Sequence, residues 1–386
     1  MIDFTFTEEQ KMLRDVARKF TDRELRPRAA AIDEQEEVPR DIIQKAAEMG
    51  FLGAVFPPEY GGGGLGELGY CILLEEIGRG CNSTAVTIGG HQSLGAMAIY
   101  LAGTEEQKQR YLRPLAEGKQ LAAFALTEPG AGSDASAIRT SAEKRGDLFL
   151  LNGNKTFITN GNIADVVIVF AVTDPVKRVH GGVSALIVER GWKGFRAGKS
   201  EKKMGIRGSH TTDLFFENVE VPRVNVLGEV GEGFKVAMQT LDVARVSLAA
   251  QCLGSSKEML DLSIKHANER IQFDKPIAEQ QSVQWMLAEM ASDIYQVESI
   301  LYRTAWMVDQ GLPFSRESAI CKLVASEAVC RVADRAMQIH GGMGYMREFP
   351  IERLYRDARV NRIFEGTNEI QHLVIAKALT KKGAYE

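Results

Sequence analysis

Apolar positions along the chain change period twice. In the first third they fall at helical spacing: Leu13, Val16, Ala17 and Phe20 share one face, and Thr7 followed by Gln10 reads as a capping box opening that helix. Asp41 to Met49, Leu68 to Ile77, Ser93 to Leu101 and Glu105 to Leu115 carry the same period, with Gly103-Thr104 as a break between the last two. Beyond Gly118 the texture shortens. Leu121 to Leu126, Val166 to Val172 and Val183 to Val188 are brief apolar runs bounded by turn residues. Leu148 to Leu151 and Thr156 to Thr159 flank Asn152-Gly153, a strong hairpin signal. From Gly233 the helical period returns in Glu258 to Arg270, Val283 to Val308 and Glu317 to His340, with few breakers. The pattern predicts an α+β chain, mainly α. A helical N-terminal domain spans 1–120, a middle antiparallel β domain 121–230, and a C-terminal four-helix bundle 231–386.

The 386 residues suffice for two or three domains with a large core. A net charge of −4 with interspersed signs offers no basic face for nucleic acid and no polybasic run for a membrane. The longest apolar run, Val166 to Val172, is far below the roughly 18 residues of a membrane span. Met1-Ile2-Asp3-Phe4 lacks the basic and apolar regions of a secretory signal, so a cytoplasmic protein is expected, with a mature mitochondrial matrix form as the alternative. The five cysteines form no Cys-x-x-Cys pair and the six histidines no cluster, so neither a disulfide frame nor a metal site is expected. Gly61-Gly62-Gly63-Gly64-Leu65-Gly66 satisfies the dinucleotide fingerprint, but Pro57-Pro58-Glu59-Tyr60 precedes it instead of a strand; it reads as a loop.

Arg362-Ile363-Phe364-Glu365-Gly366-Thr367-Asn368-Glu369 places a carboxylate directly before a glycine and a helix-initiating threonine. Such a glutamate can take a proton while nearby amides face an oxygen that gains charge, the equipment for removing a proton alpha to a carbonyl. Alone, the segment is better read as a glutamate in the first turn of a helix, favoured by its dipole. The stretch resembles the acyl-CoA dehydrogenase family, in which the Glu-Gly-Thr glutamate is commonly the catalytic base. Upstream, Phe124-Ala125-Leu126-Thr127-Glu128-Pro129-Gly130-Ala131-Gly132-Ser133-Asp134 resembles the family's flavin-contacting segment. The resemblance runs from about Phe6 to Leu379 and implies the same three-part architecture.

It also implies a set of site residues. Phe124, Leu126, Thr127, Gly132 and Ser133 would contact FAD, Ser133 touching the CoA chain as well; Phe157 would pack on the flavin, beside Ile158, and Thr159 would bond its N5. Many relatives carry tryptophan where Phe157 stands. Gln338, Ile339, His340, Gly341 and Gly342, locally a helix end in a glycine cluster, would serve the adenosine-diphosphate part of FAD across a subunit boundary. Arg270, with Gln281 nearby, resembles the pyrophosphate arginine, although Asp274 replaces the usual glycine of that motif. The resemblance places Arg270 and the 338–342 strand at the FAD of different active sites in a homo-oligomer, expected to be a tetramer. Thr367, Asn368 and Glu369 complete the FAD set.

Asp242 and Arg245 share a helical face, which suits a surface ion pair; in relatives this element, here Asp242, Val243, Ala244 and Arg245, faces the CoA ligand, as would Gly366. Some branched-chain and long-chain members carry their base inside it, but neither Val243 nor Ala244 ionises. The implied reaction is α,β-dehydrogenation of an acyl-CoA thioester to the 2-enoyl-CoA. Glu365 would remove the alpha proton as hydride leaves for flavin N5, burial would raise its pKa, and electrons would pass to electron-transfer flavoprotein. The alternatives are a member specialised for branched or alicyclic acyl groups, a non-catalytic acyl-CoA or flavin module of the same fold, and an oxygen-using oxidase. Val86 to Leu94 would line the pocket floor, where Gly89 and Gly90 either widen the pocket or make tight helix contacts. Ala85 stands where glutaryl-CoA enzymes carry an arginine, which disfavours a dicarboxylic acyl group.

Overall fold

The computed structural model describes residues 5–382; Met1-Ile2-Asp3-Phe4, read above for a leader, lies outside them. The chain opens with α1 (Glu8–Phe20), α2 (Ala29–Gln35), α3 (Arg40–Glu48), α4 (Gly66–Gly80), α5 (Asn82–Gly89), α6 (Met97–Ala102), α7 (Glu105–Gln107) and α8 (Arg113–Ala116). The capping box of α1 is present: Thr7 Oγ1 accepts from Gln10 N at 3.2 Å and Gln10 Oε1 accepts from Thr7 N at 3.0 Å. A second caps α7 at Thr104, where the break was read. Gly90–Ala96, between α5 and α6, is a wide π turn rather than the regular helix the period suggested. The glycine-rich stretch is a loop into α4, with Gly61, Gly64 and Gly66 at positive φ.

Eight strands follow: β1 (Ala122–Ala125), β2 (Ser141–Arg145), β3 (Leu148–Thr159), β4 (Val166–Val172), β5 (Val183–Glu189), β6 (Phe195–Ser200), β7 (Thr211–Pro222) and β8 (Val226–Leu227). Their order is β6-β7-β3-β2-β4-β5-β8, with β1 also on β4; only β1–β4 and β2–β4 are parallel. The Asn152-Gly153 hairpin is a misreading. β3 runs straight through these residues, and the register against β7 shifts between Leu151 and Gly153. Asn152 is held across the strands, accepting from Asn218 N at 2.8 Å and donating to Asn218 Oδ1 at 3.2 Å. Gly153 has φ 141° and lies against Thr140, whose Cα would stand 2.7 Å from any added Cβ. The dipeptide is a bulge, and the turn between β2 and β3 falls at Gly146, with φ 61°.

The last third holds α9 (Gly233–Glu269), α10 (Gln281–Asp309), α11 (Ser315–His340), α12 (Pro350–Ala358) and α13 (Asn368–Lys382). Helices α9, α10 and α11 pack on one another, with α13 against α11 and α4 against α9. One core joins the N-terminal helices to this bundle through residues such as Phe20, Leu73, Ile77, Leu253 and Leu301. A second, with Phe56, Ile99, Phe170 and Val236, joins the sheet to the helices. The third, with Phe149, Val169 and Leu214, fills the sheet's other face. No helix among the described residues is long and apolar enough to cross a membrane.

Candidate active site

Where helices and sheet meet lies a cavity of about 720 Å³, walled by α5 and the π turn, the loop after β1, the end of β3, α9 and the 360–367 turn. Glu365 faces into it from a backbone in the left-handed region, φ 55°, followed by Gly366 at φ 87°. Non-glycine residues persist there only when neighbours hold them, and the restraints are explicit. Arg245 Nε donates to Glu365 O at 3.2 Å, Gln371 Nε2 to Glu365 O at 3.3 Å and Gly366 O at 2.8 Å, and Lys322 Nζ to Gly366 O at 2.8 Å. Glu365 Oε2 is shut from solvent with no hydrogen-bond partner. Burial pushes the Glu365 carboxyl up to about 8, against the pull of Lys322 and then Arg245. A raised pKa and an unpartnered oxygen on a cavity make Glu365 a candidate functional group.

Another part of the cavity wall is built around a buried ion pair. Lys155, wholly buried on β3, donates to Glu128 Oε1 at 2.7 Å and to Leu126 O at 2.9 Å. Glu128 also accepts from Arg139 N at 2.6 Å and Thr140 N at 3.0 Å, and Thr156 N donates to Thr127 O at 2.9 Å. Burial presses the Lys155 ammonium down to about 8 and Glu128 opposes it. The clamp presents Leu126, Thr127, Gly132 and Ser133 to the cavity. Beside them Phe157, at φ 57°, holds its ring 68% exposed, followed by Ile158 and Thr159. Of the two glycines read as either widening or contacting, each does one: Gly89 opens on the cavity with nothing near a Cβ, and Gly90 abuts Thr159, whose Cγ2 would lie 2.8 Å away.

Arg270 is elsewhere. It borders a separate groove of about 520 Å³ with Ile339, His340, Gly341, Gly342 and Met343. Helices α9 and α11 end side by side, and the rings of His266 and His340 stack at 4.4 Å. Arg270 and the 339–342 backbone, expected at the FAD of different active sites, flank the same groove of this chain.

Not every expected residue reaches a cavity. Phe124, Leu126, Thr127, Gly132, Ser133, Phe157, Ile158, Thr159, Ala244, Arg245, Glu365, Gly366 and Thr367 line the large one. Asp242 sits behind it, bonded to Arg245 Nη1 at 2.8 Å, and Val243 points into the core between sheet and helices. Asn368 turns inward to Lys322, Ser326 and Glu327, while Glu369, Gln281 and Gln338 are exposed and border neither cavity nor groove. Lys155 and Lys322 were not singled out from sequence. A lysine inside an apolar strand or helix pattern was the available signal.

Family models match nearly the whole chain. Models of the N-terminal, middle and C-terminal domains of acyl-CoA dehydrogenase match residues 7–119, 123–219 and 231–380. The chain belongs to the acyl-CoA dehydrogenase family. It is 46% identical to acryloyl-CoA reductase (NADH) of Anaerotignum propionicum, over 99% of this chain and 97% of that one. To the short-chain specific acyl-CoA dehydrogenase of Clostridium acetobutylicum it is 43% identical, over 97% and 99%. Among solved structures, butyryl-CoA dehydrogenase from Megasphaera elsdenii superposes with TM-score 0.96 at 42% identity, covering 98% and 100%. A chain solved in work on the electron transferring flavoprotein of Acidaminococcus fermentans gives 0.97 at 45%, covering 99% and 100%. An acyl-CoA dehydrogenase of Bacillus anthracis, solved with FAD, gives 0.92 at 38%, covering 99% of this chain and 68% of that one.

This acyl-CoA dehydrogenase family member is a flavin-dependent oxidoreductase with FAD as cofactor, and the cavity suits that group. Phe157 is an exposed aromatic on the cavity, and Thr127, Ser133 and Thr159 add hydroxyl-bearing residues to its lining.

Proposed function

We propose that the protein performs α,β-dehydrogenation of an acyl-CoA thioester, with Glu365 removing the alpha proton and electron-transfer flavoprotein receiving the electrons. FAD, when held in this cavity, would supply a hydride acceptor for the beta carbon. Arg245, Gln371 and Lys322 fix the Glu365–Gly366 backbone so that the carboxylate and the Glu365 amide serve one substrate. The amide is assigned to the thioester oxygen, whose charge grows as the proton leaves. Ser133, Ala244, Arg245 and Gly366 line the substrate side, and Asp242 orients Arg245. Val86, Gly89 and Ser93, with Leu94, shape the acyl end.

The observation that carries the reading is the buried Glu365 oxygen without a partner. Glu365→Gln is expected to retain FAD and bind a non-oxidisable acyl-CoA analogue, yet to lose flavin reduction by about 10²- to 10⁴-fold or more in anaerobic stopped flow. Reduction within a few-fold of wild type would remove Glu365 from the mechanism.

The separate Arg270 groove supports a FAD that starts in one protomer's cavity and ends in a partner's groove. Exposed Phe273, Trp285, Tyr295 and Leu373 on the C-terminal third supply apolar surface for a homotetramer. A second reading is favoured by the likeness to acryloyl-CoA reductase and by a Glu365 pKa of about 8, at which both protonation states are populated near neutral pH. In that direction the protonated Glu365 returns the proton to an enoyl-CoA. Mixing dithionite-reduced enzyme with enoyl-CoA, against oxidised enzyme with acyl-CoA, compares the two directions.

A further inference from the structure

Helix α11 holds a lysine in an unusual place. Lys322 is wholly buried, and its two hydrogen-bond acceptors, Gly366 O at 2.8 Å and Asn368 Oδ1 at 2.9 Å, are both neutral. A buried ammonium is costly unless an opposite charge stands near. The charge that most favours its ammonium form is Glu365, the residue preceding the Gly366 that it bonds.

Around Glu365 stand Arg245 and Cys252 from α9 and Lys322 from α11, while Glu369 of α13, exposed, acts on Lys322. Arg245 already has a carboxylate, Asp242 at 2.8 Å, so much of its charge is answered locally. Among the described residues Lys322 has none at contact distance. Burial lowers Lys322 to about 8 and raises Glu365 to about 8, and each restrains the shift of the other.

We propose that Lys322 is a positioning residue for this reaction: its ammonium holds the Glu365–Gly366 turn and favours the ionised form of the Glu365 carboxylate. The inference rests on Glu365 being the base. No proton leaves Lys322 in the cycle; Glu365 alone gains the alpha proton, and the lysine charge sets how readily that carboxylate forms beforehand.

The sign follows. A positive neighbour lowers the pKa of a carboxylate, and the base works when deprotonated, so flavin reduction rises with pH through the Glu365 pKa. Removing the charge moves that limb to higher pH, by about one unit for a close opposite charge. The test is the pH profile of anaerobic flavin reduction by acyl-CoA in Lys322→Met and in Lys322→Gln, which keeps a side-chain N–H donor without the charge. Both are expected to run about tenfold slower than wild type on the acid side and to approach it on the alkaline plateau. A rate lowered equally at all pH, with the limb unmoved, would overturn the proposal and leave Lys322 a purely structural prop. Should the methionine variant fail to fold or hold FAD, the glutamine variant alone decides by the same limb. Glu365→Gln, run in parallel, separates the failures: activity there refutes the base, whereas inactivity there with an unmoved limb in the Lys322 variants refutes only the lysine's role.

Discussion

Gly89 and Gly90 are adjacent, both helical at φ −60°, and differ only in what a methyl group would meet. Alanine at either site gains about 0.5–1 kcal/mol of backbone preference over glycine. At Gly89 nothing lies within 4 Å of the new Cβ, so the gain stands. At Gly90 the Cβ would lie 2.8 Å from Thr159 Cγ2, 3.3 Å from Thr159 Cβ and 3.5 Å from Asn160 Nδ2. Asn160 cannot give freely, because its Nδ2 donates to Thr87 O at 2.9 Å in the buried wall. Overpacking of that kind costs about 1–3 kcal/mol. The backbone term cancels between the two variants, so their difference isolates the clash. With roughly 2 cal/mol/K of unfolding entropy per residue, it corresponds to about 1 to 4 °C in midpoint temperature. Thermal scans of the two holoenzymes at one scan rate, followed by circular dichroism and flavin fluorescence, measure it. Gly90→Ala should melt lower and perturb the flavin spectrum through Thr159; Gly89→Ala should melt at or above wild type and turn over the longest accepted acyl group less well. Equal midpoints would refute the packing argument.

Lys155→Met strands Glu128 in the interior without its ammonium and should cost about 3–5 kcal/mol, read by denaturant unfolding. Adding Glu128→Gln should recover part of that loss; no recovery would mean that the pair is not the source. Arg270→Ala should release FAD on gel filtration and regain flavin reduction when FAD is supplied in excess, since the Glu365 cavity lies apart. Full FAD retention would detach Arg270 from the cofactor.

Much of this architecture was legible because local physics spoke unopposed. The Thr7–Gln10 box, the all-apolar Val166–Val172 strand and the Glu365-Gly366-Thr367 junction each declare themselves within a few residues. What escaped depends on partners far along the chain. Asn152-Gly153 reads as a turn until Asn218 and Thr140 claim it. Lys155 and Lys322 look like ordinary charges until Glu128 and Gly366, 27 and 44 positions away, close on them. Val243 shared a motif with Arg245 but not a direction, since one faces the core and the other the cavity. Arg270 and Gly341 meet in one groove only because two long helices end together.

The unbroken β3 strand also says where this chain can be opened for engineering. Asn152-Gly153 looks like a natural splice point for a tag or a circular permutation, yet a cut there would sever a twelve-residue strut whose far end carries Phe157 and Thr159 into the catalytic cavity. Gly146, with open space around it and the reversal between β2 and β3 already made, can take an inserted peptide without disturbing the sheet.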